Sequence, residues 1–161
     1  MTKMRSLYDR MERLFQDDFG TIDFLSGSTI QQILCVYWQN ELKGDRYIGI
    51  FWLKEKEKSC WLRFFIDAGI AVAEQYSLSE FEEALEDDTE ETEDYFCNYS
   101  AERNLENKTI LSAFVEPIGN EGGVRLSFVL NSNQKLNIQS DIFDGKMKIE
   151  LISLRSMRSQ N

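Results

Sequence analysis

The chain has 161 residues, of which 42% are hydrophobic and 29% are charged, with one proline and a formal net charge of -10. A chain of this length buries enough apolar surface to fold as a single domain, residues 1–161, without disulfides or a structural metal. The absence of histidine excludes the Ser-His and Cys-His nucleophile pairs and imidazole metal ligands, and no apolar run reaches the roughly 18 residues of a membrane span.

The first predicted element is an amphipathic helix over residues 3–19, ending near Gly20. Its apolar residues recur at intervals of three and four, and charged residues fall between them. Because the apolar stripe has to cover another apolar surface, we expect this helix to pack on a sheet. The stripe consists of Met4, Leu7, Met11, Leu14 and Phe15.

Three strands are predicted next, over residues 30–39, 47–53 and 59–66. Apolar and aromatic residues dominate them, and Gly44 beside Asp45 provides turn chemistry between the first two. All three strands are apolar on both faces, so a sheet with one open face would expose a large hydrophobic patch. We therefore expect both faces to be covered. The N-terminal helix covers one face, and a second helix, a curled sheet or a partner covers the other.

A second, short helix is predicted to begin at Ser77 or Ser79. Each serine stands three residues before a glutamate, which is the spacing of a capping box. Acids beyond Glu86 would lie near the negative end of the helix dipole, so we expect the helix to fray near Asp88. The apolar stripe of this helix consists of Leu78, Phe81, Ala84 and Leu85.

The last third of the chain is predicted to form antiparallel sheet again, followed by a mobile polar tail over residues 155–161. The predicted strands cover residues 109–115, 124–130, 135–139 and 146–154. Turns between them are predicted at residues 119–123, 131–133 and 144–145, the last an Asp-Gly hairpin signal. We expect an α+β fold with a strongly curved antiparallel sheet of about six to eight strands, the N-terminal amphipathic helix and the second short helix packed on it.

The acidity of the chain is concentrated in residues 80–94, which we expect to form the end of the second helix and a loop. Ten of the 28 acids and none of the 18 bases lie there, so the rest of the chain carries 18 acids and 18 bases. A fixed negative patch attracts cationic partners and repels polyanions, which favours a basic protein partner and argues against direct nucleic-acid binding. The alternative is a solvated segment that only keeps the protein soluble.

No motif indicates catalysis, a cofactor or a metal site. The cysteines are odd in number and lack a C-x-x-C pair, which argues against a disulfide framework; Cys35 and Cys60 are expected in the core and Cys97 nearer the surface. Residues 87–94 lack the glycine and final glutamate of an EF-hand, so they predict only weak divalent-ion association. The N-terminus has no continuous apolar segment typical of a secretion signal, so we expect a cytoplasmic protein without a membrane partner.

The leading functional hypothesis is a non-catalytic acidic domain of the immunity or antitoxin type that captures a basic toxin or nuclease. The residues expected to bind this partner are Glu82, Glu83, Glu86, Asp87, Asp88, Glu90, Glu91, Glu93, Asp94, Tyr95, Phe96 and Tyr99. The three aromatic residues of this set are expected either to form a further helical turn or to anchor a loop onto the sheet. The abundance of aromatic residues favours an alternative, a curved sheet or barrel that binds a small apolar ligand. A carboxylate-based enzyme is the second alternative.

Overall fold

The computed structural model of the chain describes residues 11–13, 22–39, 46–67, 70–90, 95–118, 123–140 and 147–154. These ranges contain ten β-strands, two α-helices and a short 3-10 helix, Asp23–Leu25. The strands are β1 (Met11–Arg13), β2 (Ile30–Gln39), β3 (Arg46–Glu55), β4 (Cys60–Asp67), β5 (Ile70–Ser77), β6 (Tyr95–Asn98), β7 (Ile110–Ile118), β8 (Gly123–Leu130), β9 (Gln134–Ser140) and β10 (Met147–Ser153). The helices are α1 (Leu78–Glu90) and α2 (Tyr99–Glu102).

All ten strands belong to one antiparallel hydrogen-bonded network that divides into two blocks. The first block has the strand order β1-β5-β4-β3-β2-β6, and the second is the meander β7-β8-β9-β10. Among the described residues, a single pair, Met147 with Ile48, joins β10 to β3. The two blocks are thus parts of one network.

The sheet curls so that the start of β2 lies beside the start of β7. Thr29 and Thr109 form an isolated antiparallel bridge. The Gly27 amide donates to the Ile110 carbonyl over 2.8 Å, and Gly27 adopts a φ of +86° that glycine tolerates without a steric penalty. The two blocks therefore face each other, although the strand network does not close into a continuous ladder.

The inner faces of the two blocks enclose one hydrophobic core around Phe51, Phe64 and Phe128, which we call the inner core. The Phe51 and Phe64 rings lie 5.8 Å apart in the first block. Phe128 of the second block lies 6.2 Å from Phe51 and 5.9 Å from Phe64. All three side chains are at most 2% exposed, so their rings fill the space between the blocks at this point.

The outer face of the second block is polar. Arg125 pairs with Glu116 across β7 and β8 with a nitrogen–oxygen distance of 3.1 Å, and Lys135 lies 3.7 Å from the same carboxylate. Ser127 and Asn137 are buried between these longer side chains, and the serine hydroxyl donates to the asparagine side-chain oxygen over 2.8 Å. This alternation of apolar inner and polar outer residues is typical of an antiparallel sheet with one face in water.

The strands of the first block are apolar on both faces because both faces are covered. In β2, Ile33 and Cys35 point into the inner core, whereas Leu34 and Val36 point to the opposite side. There they join an outer cluster that also contains Phe81 of helix α1. The expectation that a second helix covers one face of these strands is thus confirmed.

The α+β class, the antiparallel pairing, the second helix and the seven predicted strands are confirmed. The helix predicted over residues 3–19 is not confirmed: Met11–Arg13 form β1 and pair with β5, and the rest of that range lies outside the described residues. The tail over residues 155–161 and the acids at 91, 93 and 94 also lie outside them. Together with β1, the strands β5 and β6 were not predicted, so the sheet has ten described strands where about six to eight were expected.

Candidate protein-binding surface on the acidic helix

Helix α1 follows strand β5 without an intervening loop and begins with a capping box. The Ser77 hydroxyl accepts a hydrogen bond from the Glu80 amide, and the Glu80 carboxylate accepts one from the Ser77 amide, both over 3.2 Å. This reciprocal pair satisfies two amides that the first helical turn leaves without partners. Of the two predicted start sites, Ser77 is therefore the helix cap, and the direct junction with β5 places the helix over the outer face of the first block.

The inner side of α1 packs on an outer cluster of buried aromatic and aliphatic side chains. The Phe81 ring stacks on Trp61, with centroids 4.0 Å apart and planes 10° apart, and meets Trp52 edge to face at 5.0 Å. Ala84 and Leu85 are partly buried against the same cluster. The cluster consists of Leu34, Val36, Trp52, Trp61, Tyr76 and Phe81. These contacts orient the helix, so its opposite side has to face away from the sheet.

A charged pair lies in the same outer face, beside the aromatic cluster. Arg63 forms an ion pair with Glu74 over 2.6 Å, and the Tyr76 hydroxyl donates to the other Glu74 oxygen over 3.1 Å. The Arg63 guanidinium also lies 5.7 Å from the Trp52 ring centroid and 5.1 Å from that of Tyr76. Glu74 is only 2% exposed, and its charge is compensated by these two neighbours.

The hairpin between β3 and β4 contains two further buried charges. The Lys54 ammonium donates to the Glu55 carbonyl over 2.8 Å and also to the Lys58 carbonyl. The Glu55 carboxylate accepts a hydrogen bond from Ser28 and pairs with the Lys58 ammonium over 3.0 Å. Both charges are therefore engaged in holding the turn together, which is a structural role.

The outer side of α1 is acidic. The side chains of Glu82, Glu83 and Glu86 are exposed, and the helix contains no lysine or arginine. Glu82 and Glu86 are four residues apart, a spacing at which like charges repel on a helix. Negative charge in the second half of the helix also opposes the helix dipole. Helix α1 holds these acids on the outside through its packed inner side.

The other six predicted contact acids are not seen as exposed side chains. Asp87, Asp88 and Glu90 lie on the backbone of α1, which reaches Glu90 and so extends past the predicted fraying point at Asp88. The side chains of these three residues, and Glu91, Glu93 and Asp94 as a whole, lie outside the described part of the chain. The structure therefore brings three of the nine predicted acids together as exposed side chains.

The aromatic residues that follow the acids do not form the predicted further helical turn. Tyr95–Asn98 form strand β6, which pairs with β2, and helix α2 begins only at Tyr99. The Tyr99 side chain is 3% exposed and belongs to the inner core, so it anchors this segment to the sheet and is not accessible to a partner. Burial raises the pKa of Tyr99 to about 12, against the smaller opposing effect of Arg103.

The cysteines partly follow the sequence-based expectation. Cys35 is fully buried in the inner core, as expected, and Cys97 is partly exposed. Cys60 is also partly exposed, and its sulfur accepts a hydrogen bond from the Gln75 side chain over 3.3 Å. Burial raises the pKa of the Cys35 thiol, and the neighbouring Cys97 raises it further.

Within the described residues, no three histidine, cysteine, aspartate or glutamate side chains converge as a metal-binding group. The helices of that same part of the chain include none that is long and apolar enough to cross a lipid bilayer. No known protein family matches the chain, and no curated protein or solved structure matches it either.

Proposed function

We propose that this chain is a non-catalytic binding domain that captures a basic protein through the acidic outer side of helix α1. The observation that supports the proposal most is that one side of the helix is packed on the sheet and the other side is acidic and exposed. Phe81 and the side chains around it dock the inner side on the sheet, while Glu82, Glu83 and Glu86 stand exposed on the outer side. A partner can thus bind without disturbing the packing.

The charge distribution adds to this proposal. The net charge of -10 comes entirely from residues 80–94, because the remaining 18 acids equal the 18 bases in number. A concentrated negative surface raises the rate at which a cationic protein arrives, by up to several orders of magnitude at low ionic strength. A toxin or nuclease that acts on nucleic acid needs a cationic surface, since it must neutralise phosphates. The acidic side of α1 is electrostatically complementary to such a surface.

Local energetics point in the same direction. The repulsion between Glu82 and Glu86 costs the isolated helix about 0.3 kcal/mol. Residues that lower local stability are more often kept at binding sites than elsewhere. The exposed glutamates therefore fit a recognition role better than a structural one.

The apolar-ligand alternative receives less support from the described residues. A small-molecule site of that kind needs a cavity between the sheet blocks. The centre of the inner core is instead occupied by the rings of Phe51, Phe64 and Phe128. For the enzyme alternative, the buried carboxylates Glu55 and Glu74 are both engaged with cations and hydroxyl groups, as a structural role requires.

The proposal can be tested with two variants of equal charge change. In the first, Glu82, Glu83 and Glu86 are replaced by glutamine. In the control, the same replacement is made at the exposed acids Glu57, Glu106 and Glu150, which lie elsewhere on the surface. Each variant and the wild type are used to capture proteins from native lysate, and captured proteins are identified by mass spectrometry and then purified for binding measurements.

We expect wild type and control to capture the same basic protein and the α1 variant to bind it at least about tenfold more weakly, mainly through slower association. Binding of the wild type should also weaken strongly at about 1 M salt, where the Debye length is only about 3 Å. Equal losses in the two variants would show that only the net charge matters. An affinity that is independent of salt would overturn the proposal.

A further inference from the structure

Two cysteines that are distant in the sequence lie directly opposite each other in the sheet. Cys35 of β2 and Cys97 of β6 are partners in the antiparallel register. Residues paired in this way have Cα atoms about 4.5 to 5.5 Å apart, and disulfides span Cα distances of about 4.4 to 6.8 Å. Opposite side chains also point to the same face of the sheet. The register therefore places the two Cα atoms at a separation that a disulfide bond can span.

Burial confirms that both side chains lie on the inner side. Cys35 is 0% exposed within the inner core, and Cys97 is partly buried against that core. Both are in the thiol form. The pKa of Tyr37, two residue pairs along the ladder, is raised, first by burial and then by hydrogen bonding of its hydroxyl with the Cys97 side chain. The pair thus has a buried member and a partly accessible one.

We propose that Cys35 and Cys97 form a reversible cross-strand disulfide when the protein meets an oxidised low-molecular-weight thiol such as glutathione disulfide. Cys97 reacts first because it is the accessible member of the pair. Its thiolate attacks one sulfur of glutathione disulfide, whose S–S bond breaks and releases one glutathione thiolate, leaving a mixed disulfide on Cys97.

The second step closes the bond within the protein. Cys35 loses its proton, and its thiolate attacks the Cys97 sulfur and displaces the second glutathione as a thiolate. In sum, two protein thiols and one glutathione disulfide become one protein disulfide and two glutathione thiols, so the two electrons and two protons pass to the oxidant. Since burial raises the pKa of Cys35, this step is the slower one and accelerates with rising pH.

The bond would link β6 covalently to β2, directly after the acidic segment of the chain. Strand β6 has four residues and, among the described strands, pairs only with β2. It is the first described element after the acidic segment, residues 80–94. A disulfide would therefore attach the chain that leaves this segment covalently to strand β2 of the first block. This inference does not depend on the proposed binding function.

The test uses the full-length protein and glutathione buffers of increasing oxidised fraction. After each incubation, remaining thiols are alkylated, and the intact mass and the protease peptides are measured. We expect the loss of two alkylatable thiols, a peptide pair linked through Cys35 and Cys97, and full reversal by dithiothreitol. Cys60 lies opposite Ser77 in the register, so it should enter no disulfide within the protein and serves as an internal control.

Two comparisons test whether the strand register, and not general thiol reactivity, selects the cysteine pair that forms the disulfide. A Cys60→Ser variant should form the same bond, and a Cys97→Ser variant should form none. Oxidation of the wild type in denaturant should give mixed pairings, because the register is then lost. Three thiols that stay alkylatable in fully oxidised buffer, a bond that involves Cys60 in the folded protein, or a Cys97-linked dimer with a reduced Cys35 would each overturn the inference. The wild-type peptide map gives this answer even if a variant does not fold.

Discussion

Replacing Phe81 by alanine should release helix α1 from the sheet while leaving the inner core folded. Phe81 is 7% exposed and is the helix residue with the most extensive aromatic contacts. Its ring stacks on Trp61 and meets Trp52 edge to face. Without it, the described side chains of the helix that still contact the outer cluster are the partly buried Ala84 and Leu85.

The size of the effect follows from these contacts. Truncation of a buried phenylalanine costs about 3 to 5 kcal/mol. Because Phe81 lies between helix and sheet and not inside the inner core, neighbouring side chains can close part of the space, and we expect a value near the low end, about 3 kcal/mol. An isolated helix of the length of α1, 13 residues, is marginal in water. The helix should therefore unfold locally before the strands do.

The assay is urea unfolding followed in parallel by tryptophan fluorescence and by far-ultraviolet circular dichroism. Trp52 and Trp61 lie directly under Phe81, so their emission should shift to the red in the variant even without urea. The matched control is Leu78→Ala in the first turn of the same helix, where the side chain is 49% exposed. The control should change the free energy of unfolding by less than about 0.5 kcal/mol.

The reasoning is refuted if Phe81→Ala costs less than about 1 kcal/mol and leaves the tryptophan emission unchanged. That result would mean that contacts other than the aromatic stack hold the helix. A loss equal to that of Leu78→Ala would lead to the same conclusion. The exposed acids would then need another explanation for their orientation.

Two further predictions concern buried polar groups. Glu74→Gln should lower the free energy of unfolding by about 2 kcal/mol, because the Arg63 guanidinium loses its charged partner. The control, Glu116→Gln at the more exposed pair with Arg125, should change it by under about 0.5 kcal/mol. Equal effects of the two substitutions in urea titrations would contradict the first value. Because the folded-state pKa of Tyr99 is raised from 10.0 to about 12, the folded state holds the phenolic proton more tightly, so stability is retained below pH 10 and decreases between pH 10 and 12. Tyr99→Phe should make that decrease smaller, and an identical pH profile for the variant would count against this origin.

Local sequence rules predicted the elements that depend on neighbouring residues. The start of α1 follows from the serine and glutamate spacing, because a capping box is completed by residues three positions apart. The apolar character of β2, β3 and β4 on both faces likewise predicted a sheet covered on both sides, as the structure shows.

Strand β5 was missed because its composition is mixed. Ile70, Val72 and Tyr76 favour a strand, whereas the residues between them include alanine and glutamate, which are depleted in strands. The segment forms a strand because β4 and β1 pair with it on either side, and because Arg63 compensates the buried charge of Glu74. Both causes are contacts between distant parts of the chain, which no local pattern contains.

Strand β6 shows the same limit. The four residues Tyr95–Asn98 are too few for their periodicity to separate a strand from a helical turn. Pairing with β2 makes them a strand, buries Tyr99 and places Cys97 opposite Cys35. The spacing of the three cysteines argued against a disulfide framework, and only the register indicates a possible pair.

The sequence by itself determined the fold class, the start of the acidic helix to within two residues and the location of the net charge, since composition and contacts of short range are sufficient for these. The tertiary structure decided which strands pair, which side of α1 is exposed and which of the predicted contact residues are buried. These depend on packing between segments far apart in the chain, such as Phe81 on Trp61 and β6 on β2. Such contacts contribute to stability only after the chain has brought the distant segments together.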